Sequence, residues 1–257
     1  MGLIDTHCHL YLEDFDPEQE QLIEEAKASG IERLLMPNVD LTTIDRMHAL
    51  CDRHPDFTLP MMGFHPTSVD QHYAEALRIT EQWLGKRSYC AIGEIGIDLY
   101  WDKTYVNEQL DAFDRQCHWA VEMNLPIIIH CREGLEQVLQ VFDNFSGPLP
   151  RGVFHSFTGT PHDVEAIRRR GDFYFGINGI VTFKKSTLPS ILPIIGIHRL
   201  LLETDSPYLA PVPNRGKRNE SANIPHIAAC IASHMGMSIE QVSAATDANA
   251  HDLFGIG

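Results

Sequence analysis

The sequence predicts a (β/α)8 barrel, and three observations carry that prediction. Short apolar runs alternate with amphipathic stretches eight times, at spacings of roughly 20 to 35 residues, the rhythm of strand and crossover helix. The chain has 257 residues, about the length of one such barrel. Polar residues of metal-ligand type stand at or just past the ends of several apolar runs. The rival, an open doubly wound sheet, is weakened because no G-x-G-x-x-G follows the first strand.

The first strand is Ile4-Asp5-Thr6-His7-Cys8-His9, where alternation puts His7 and His9 on one face. Asp16-Pro17 then reads as an N-cap with proline at the first helical position, and Leu22, Ile23 and Ala26 form a stripe that stops at Gly30. Strand Arg33 to Val39 leads to helix Thr43 to Arg53, strand Thr58 to Met62 to helix Ala74 to Leu84, and strand Tyr89 to Gly93 to helix Val106 to Met123. Pro126 to Ile129 precedes a helix over Leu135 to Phe142, Gly152 to Phe154 precedes one over Pro161 to Arg169, and Asp172 to Ile177 precedes a shorter one before strand Arg199 to Leu202. Asn223 to Met235 is a further helix, and Ser238 with Gln241 offers a capping box for a last one toward Phe254. The long loops GFHPTSVDQHY, GIDLYWDKTY and SPYLAPVPNRGKRNE follow strands three, four and eight, on the barrel face where sites form. One domain over 1–257 is expected, with no linker or low-complexity tract.

Composition excludes several classes. The hydrophobic share of 44% suffices for a core, and the apolar runs are too short to span a membrane. No secretory signal is read at the start. Met1-Gly2 with Thr6 matches the loose myristoylation pattern, but runs straight into the first core strand, so the match is read as chance. Six cysteines without a C-x-x-C pair fit a reduced, cytoplasmic setting. A net charge of −15 is the opposite of a broad basic face for nucleic acid, so any phosphate must be gripped locally, with bound divalent cations supplying positive charge. No membrane partner is expected, and the chain is expected to act as a monomer.

A lone H-x-H is weak evidence of a metal. Here it recurs with Glu94 in AIGEIGID, His130 in LPIIIHCRE, His155 in GVFHSF and Asp205 in RLLLETDSP. In a barrel all of these face one axial mouth. Six such groups exceed what one catalytic zinc takes and suit two metals sharing a carboxylate. Zinc, manganese, magnesium and nickel all accept such a donor set.

IDTHCHL, GEIGID, PIIIHCRE, HSFTG, GINGIVTFK, LLETDSPYLAP and RGKRNE resemble the TatD family of metal-dependent deoxyribonucleases, a branch of the amidohydrolase-like barrels, along essentially the whole chain. The resemblance implies that His7, His9 and Asp205 hold one metal, His130 and His155 the other, and that Glu94 bridges them where many related hydrolases use a carbamylated lysine. Two departures are visible, Ser221 where relatives often carry proline and Leu99-Tyr100-Trp101 in place of the usual aromatic pairing.

Around this core stand residues with two readings each. Glu203, two before Asp205, orients a ligand from one layer deeper or pairs with an arginine. His65 lies near substrate or metal, as the resemblance implies, or caps a turn. Arg132, two past His130, forks onto a phosphate or pairs with Glu133. Arg215 and Lys217, with Arg218, form a basic cluster for substrate, and Asn219 fixes an oxygen. Arg168-Arg169-Arg170 compensates its own helix dipole. Tyr100, Trp101 and Tyr105 stack on bases, or pack on the barrel in at least one case. The expected activity is a phosphodiesterase on DNA ends or single strands. Glu94 and Asp205 are the catalytic acids, and Asp205 is the base toward a metal-bridging water. The alternative is hydrolysis of an ester or amide, including the ester of a D-aminoacyl-tRNA.

Overall fold

The structure is a computed structural model and describes residues 2–256; Met1 of the myristoylation match and Gly257 lie outside them. Each apolar run pairs in parallel with its neighbours. β1 (Leu3–Asp5), β2 (Ile31–Pro37) and β3 (Thr58–Met61) form one ladder. β4 (Ile92–Asp98), β5 (Ile127–Arg132), β6 (Gly152–Phe154), β7 (Tyr174–Ile177) and β8 (Leu200–Leu202) form the other. At one seam Thr6 N–H donates to Leu202 O and Cys8 pairs with Ser206; at the other Met62 pairs with Ile92 and donates to Ala91 O. The eight strands thus run round the wall of a (β/α)8 barrel as two stitched ladders.

The crossover helices are α1 (Gln19–Ala28), α2 (Ile44–Arg53), α3 (Tyr73–Leu84), α4 (Val106–Met123), α5 (Leu135–Asn144), α6 (Pro161–Arg168) and α7 (Leu188–Ile195). They are followed by α8 (Ile224–Met235) and α9 (Ile239–Phe254). The Ser238–Gln241 capping box opens α9.

Every strand sends an apolar residue into one interior cluster: Ile4, Leu35, Met61, Ala91 just before β4, Ile128, Val153, Tyr174 and Leu201. Ala250, Leu253 and Phe254 of α9 plug it from the amino-terminal end, where Asn249 donates to Leu200 O and Ser243 to Gly2 O. Burying a side chain such as Phe254 contributes about 1.5–3 kcal/mol. Two residues further along β5, β6 and β8 the same inward parity yields His130, His155 and Glu203, so the polar site is the next layer above this core.

Local differences have local causes. Asp16 does not cap α1; Glu18 stands there, and Asp16 closes a one-turn 3-10 helix at Glu13–Phe15 with its carboxylate on Arg46. β1 ends at Asp5, whose buried carboxylate accepts from Thr204 N–H and its hydroxyl, so His7 and His9 follow the strand. β4 runs on to Asp98 and contains Glu94, past the expected end at Gly93. The arginine triplet serves both its own helix and neighbouring ones: Arg170 donates to Ala166 O near the end of α6 while pairing with Asp143 on α5, Arg169 lies 3.7 Å from Glu165 of α6, and Arg168 donates to Ile194 O and Ile195 O at the end of α7.

Candidate metal centre

β4 carries a register irregularity between Ile92 and Ile95, and within it Glu94 turns to the axis, only 2% exposed. Its two oxygens face different partners. Oε2 lies 3.2 Å from His7 Nε2 and 3.7 Å from His9 Nε2; Oε1 lies 2.8 Å from His130 Nδ1, 2.9 Å from His155 Nε2 and 3.2 Å from His65 Nε2. Asp205 enters on a left-handed backbone (φ 56°), with Oδ1 at 3.8 Å from His7 Nε2 and 3.7 Å from His9 Nε2. The two histidine nitrogens are 3.2 Å apart. A cation with bonds of about 2.0–2.2 Å and tetrahedral ligands needs donor-to-donor edges of roughly 3.3–3.6 Å. The separations among His7, His9 and Glu94, 3.2 to 3.7 Å, suit such an ion, and Asp205 stands within 3.8 Å of both histidines beside them.

In His9, His130 and His155 the outer nitrogen has a partner that sets which lone pair faces the cluster, while His7 Nδ1 has none among the described residues. Tyr11 gives its hydroxyl proton to Pro37 O, so it accepts from His9 Nδ1 at 2.9 Å and leaves the Nε2 lone pair facing the cluster. His130 Nε2 lies 2.8 Å from Asp98 Oδ2, which turns the Nδ1 lone pair toward Glu94. His155 Nδ1 faces Glu203 Oε1 at 3.5 Å, and Glu203 is itself fixed by Ser156 N–H. His65 is the opposite case. Its Nδ1 accepts from Thr67 N–H at 3.1 Å, so the ring proton sits on Nε2 and points at Glu94. His65 therefore both caps the turn at Pro66–Ser68 and donates to the shared carboxylate.

Burial alone would raise the Glu94 pKa, but the charge of His155, His65 and His7 and the His130 hydrogen bond hold it well below the carboxylate range. Burial opposes charge on His155 and His130, yet Glu94 and Glu203 carry the first well above the imidazole value, and Asp98 and Glu94 raise the second. Burial pushes His7 and His65 down. Burial would also raise Asp205, but His9, His155 and His7 hold it below the ordinary value. Metal-free protein at neutral pH therefore keeps Glu94 ionised and a proton on His155 that a cation must displace. Divalent-ion affinity is expected to fall as pH falls, with release of about one proton or more per protein on loading near pH 7. Titration calorimetry in buffers of different ionisation enthalpy reads this; uptake without proton release contradicts it.

Above the donors opens a cleft of about 650 Å³ lined by His9, His65, His130, Arg132, Trp101 and Tyr208, among others. Arg132 stacks on Tyr100 and does not pair with Glu133, which sits 3.9 Å from Lys103. Tyr100 and Trp101 are exposed, while Tyr105 packs on the core. Glu203 has no arginine partner among the described residues. Its carboxylate occupies space left by Gly176, where a Cβ would lie 2.1 Å from Glu203 Oε2.

The loop after β8 departs from expectation. Arg218 is drawn to Asp14 O and Glu18 and does not line the cleft. Asn219 is buried, donating to Thr204 O and accepting from Glu220 N–H and Asn223, contacts that tie the loop to the strand end, and it is not among the residues lining the cleft. Arg215 and Lys217 are exposed and do not line the cleft; Arg215 lies over Phe183. Ser221 is buried at the start of a one-turn 3-10 helix. Two supporting residues escaped the sequence reading, Tyr11 and Asp98. Asp98 continues the alternation 94-96-98 along β4, whereas Tyr11 lies in the turn that follows His9 and has no such signal.

A (β/α)8 barrel with histidines and carboxylates gathered at its carboxyl-terminal mouth has the architecture and donor set of a metal-dependent hydrolase. Comparison with known proteins narrows this: the profile of TatD related DNase matches residues 4–255. The chain belongs to the TatD family. It is 36% identical over 255 residues to the uncharacterized metal-dependent hydrolase YabD of Bacillus subtilis, covering 99% of both chains. It is 32% identical over 260 residues to the 3'-5' ssDNA/RNA exonuclease TatD of Pantoea ananatis, covering 99% of this chain and 100% of that one. Among solved structures, the TatD homologue YJJV of Escherichia coli superposes with a TM-score of 0.91 at 25% identity, covering 99% of this chain and 98% of that one. No helix among the described residues is long and apolar enough to cross a membrane.

Proposed function

We propose that this chain is a two-metal phosphodiesterase that hydrolyses single-stranded nucleic acid, DNA in the first place, from an exposed end. The observation that carries this reading is the split of Glu94, with Oε2 turned to His7 and His9 and Oε1 to His130 and His155. His7, His9 and Asp205 would hold one divalent ion and His130 and His155 the other, with Glu94 between. Bound there, the ions supply positive charge that polarises a phosphate and lowers the pKa of water toward neutrality.

The residues do the rest. Asp205, with its side chain 15% exposed and held ionised, faces the cleft and takes the proton of the attacking water. Arg132 grips a phosphate oxygen, His65 keeps Glu94 oriented, and the exposed aromatics receive bases. The names of the Pantoea relative and its like support a nucleic-acid substrate. A chain of net charge −15 binds polyanions poorly outside such a mouth, which suits action at ends.

The test is hydrolysis by purified protein of single-stranded DNA, RNA, double-stranded DNA and D-aminoacyl-tRNA. Chelation is expected to abolish cleavage of the single strands and added divalent ion to restore it. Undiminished turnover by protein shown metal-free by elemental analysis contradicts the reading. Turnover of the charged tRNA alone replaces it with the ester hydrolase.

A further inference from the structure

Asp98 has one oxygen on each of two functional units. Oδ2 lies 2.8 Å from His130 Nε2, while Oδ1 accepts from Tyr100 N–H at 3.0 Å and Trp101 N–H at 3.3 Å. Its backbone is clamped from α4, since Gln109 Oε1 accepts Asp98 N–H at 2.9 Å and Gln109 Nε2 donates to Asp98 O at 3.1 Å. The carboxylate is 2% exposed. It can therefore shift neither toward solvent nor along the strand without breaking one of these contacts.

The loop it holds carries an exposed aromatic pair, of which Trp101 lines the cleft. Tyr100 is 49% and Trp101 71% exposed, with rings edge to face at 4.9 Å. Arg132, two residues beyond His130 on β5, lays its guanidinium 3.7 Å from the Tyr100 ring centre and 5.3 Å from that of Trp101. Leu99 N–H donates to Arg132 O, so strand and loop move together. An exposed indole and phenol backed by a guanidinium form a surface that takes the face of a nucleobase, while the arginine's outer edge stays free for a phosphate.

We propose that Asp98 is a positioning residue that couples the metal-side histidine His130 to a base-stacking platform of Tyr100, Trp101 and Arg132. The inference rests on the nucleic-acid reading of the cleft. When His130 is engaged at Nδ1, its Nε2–H fixes Asp98 Oδ2, and the other oxygen then holds the platform backbone. Metal loading and oligonucleotide binding thus reinforce each other.

Asp98→Asn tests this, because an amide has one oxygen to accept from either His130 or the loop, and its NH2 faces donors on the other side. Zinc or manganese affinity, read by calorimetry, is expected to fall about ten- to a hundredfold. Binding of a single-stranded oligonucleotide, read by fluorescence anisotropy with and without metal, should lose the tightening that metal gives the parent. Trp101→Ala is expected to weaken the oligonucleotide about five- to a hundredfold and leave metal affinity unchanged. If Asp98→Asn does not fold by circular dichroism, Gln109→Met, which frees the Asp98 backbone and keeps its carboxylate, is expected to show both losses at smaller size. Parent-like metal affinity and parent-like metal dependence of oligonucleotide binding in the folded Asp98 or Gln109 variant overturn the coupling alone. A parent that binds no oligonucleotide overturns the coupling together with the nucleic-acid reading.

Discussion

Asp205→Asn is expected to lower turnover by at least about a hundredfold, the usual scale of a general base, with oligonucleotide binding retained. The amide keeps the size of the side chain and an oxygen facing His7 and His9, but has no basic electron pair to take a proton from water. Glu203 is the control because it lies so close in sequence and so differently in space. Its side chain is 1% exposed and its oxygen is spent on Ser156 N–H and His155, out of reach of substrate. Glu203→Gln acts through the orientation of His155, so a loss of roughly ten- to a hundredfold in metal affinity or activity is expected, partly recovered by excess metal. The readout is single-turnover cleavage at saturating metal. An active Asp205→Asn, or a dead Glu203→Gln under those conditions, exchanges the two roles.

Alternation accounts for much of the donor cluster. His130, His155 and Glu203 lie two residues past Ile128, Val153 and Leu201, whose inward parity follows from the barrel. Glu94 is beyond strict alternation, since the irregularity at Ile92–Ile95 breaks it; its place just past an apolar run, rather than its parity, is what marks it in the sequence. Asp98 was within reach of alternation counted on from Glu94, and Thr160 with Asp163 forms a capping box that its spacing displays, but Tyr11 sits in a turn beyond the strand where alternation says nothing. The basic loop was illegible for another reason. Arg218 finds its partners near Asp14 and Glu18 at the other end of the chain, and Asn219 is absorbed by Thr204 and Asn223. A cluster of cations in sequence carries no information about which acids the fold will bring to it.

Glu94→Gln is expected to have the largest effect of any single substitution, because both halves of the centre meet on this one carboxylate. Loss of a metal removes several kcal/mol of transition-state stabilisation, and each 1.4 kcal/mol is about tenfold, so turnover should fall at least about a thousandfold. Turnover alone does not distinguish a shared ligand from an ordinary one; stoichiometry does. His9→Ala opens only the side facing Oε2 and His130→Ala only the side facing Oε1, so each should retain one ion by elemental analysis. Glu94→Gln should retain neither, since its NH2 must face the ring nitrogens on one side and its neutral oxygen binds cations weakly on the other. The charge that lifts His155 above the imidazole range is also removed. The metal-free variant should therefore give up the His155 proton at lower pH than the parent does, as nuclear magnetic resonance of the imidazole carbons would show. A Glu94→Gln protein that still holds one ion tightly and keeps the parent's His155 titration would place the carboxylate on one side only.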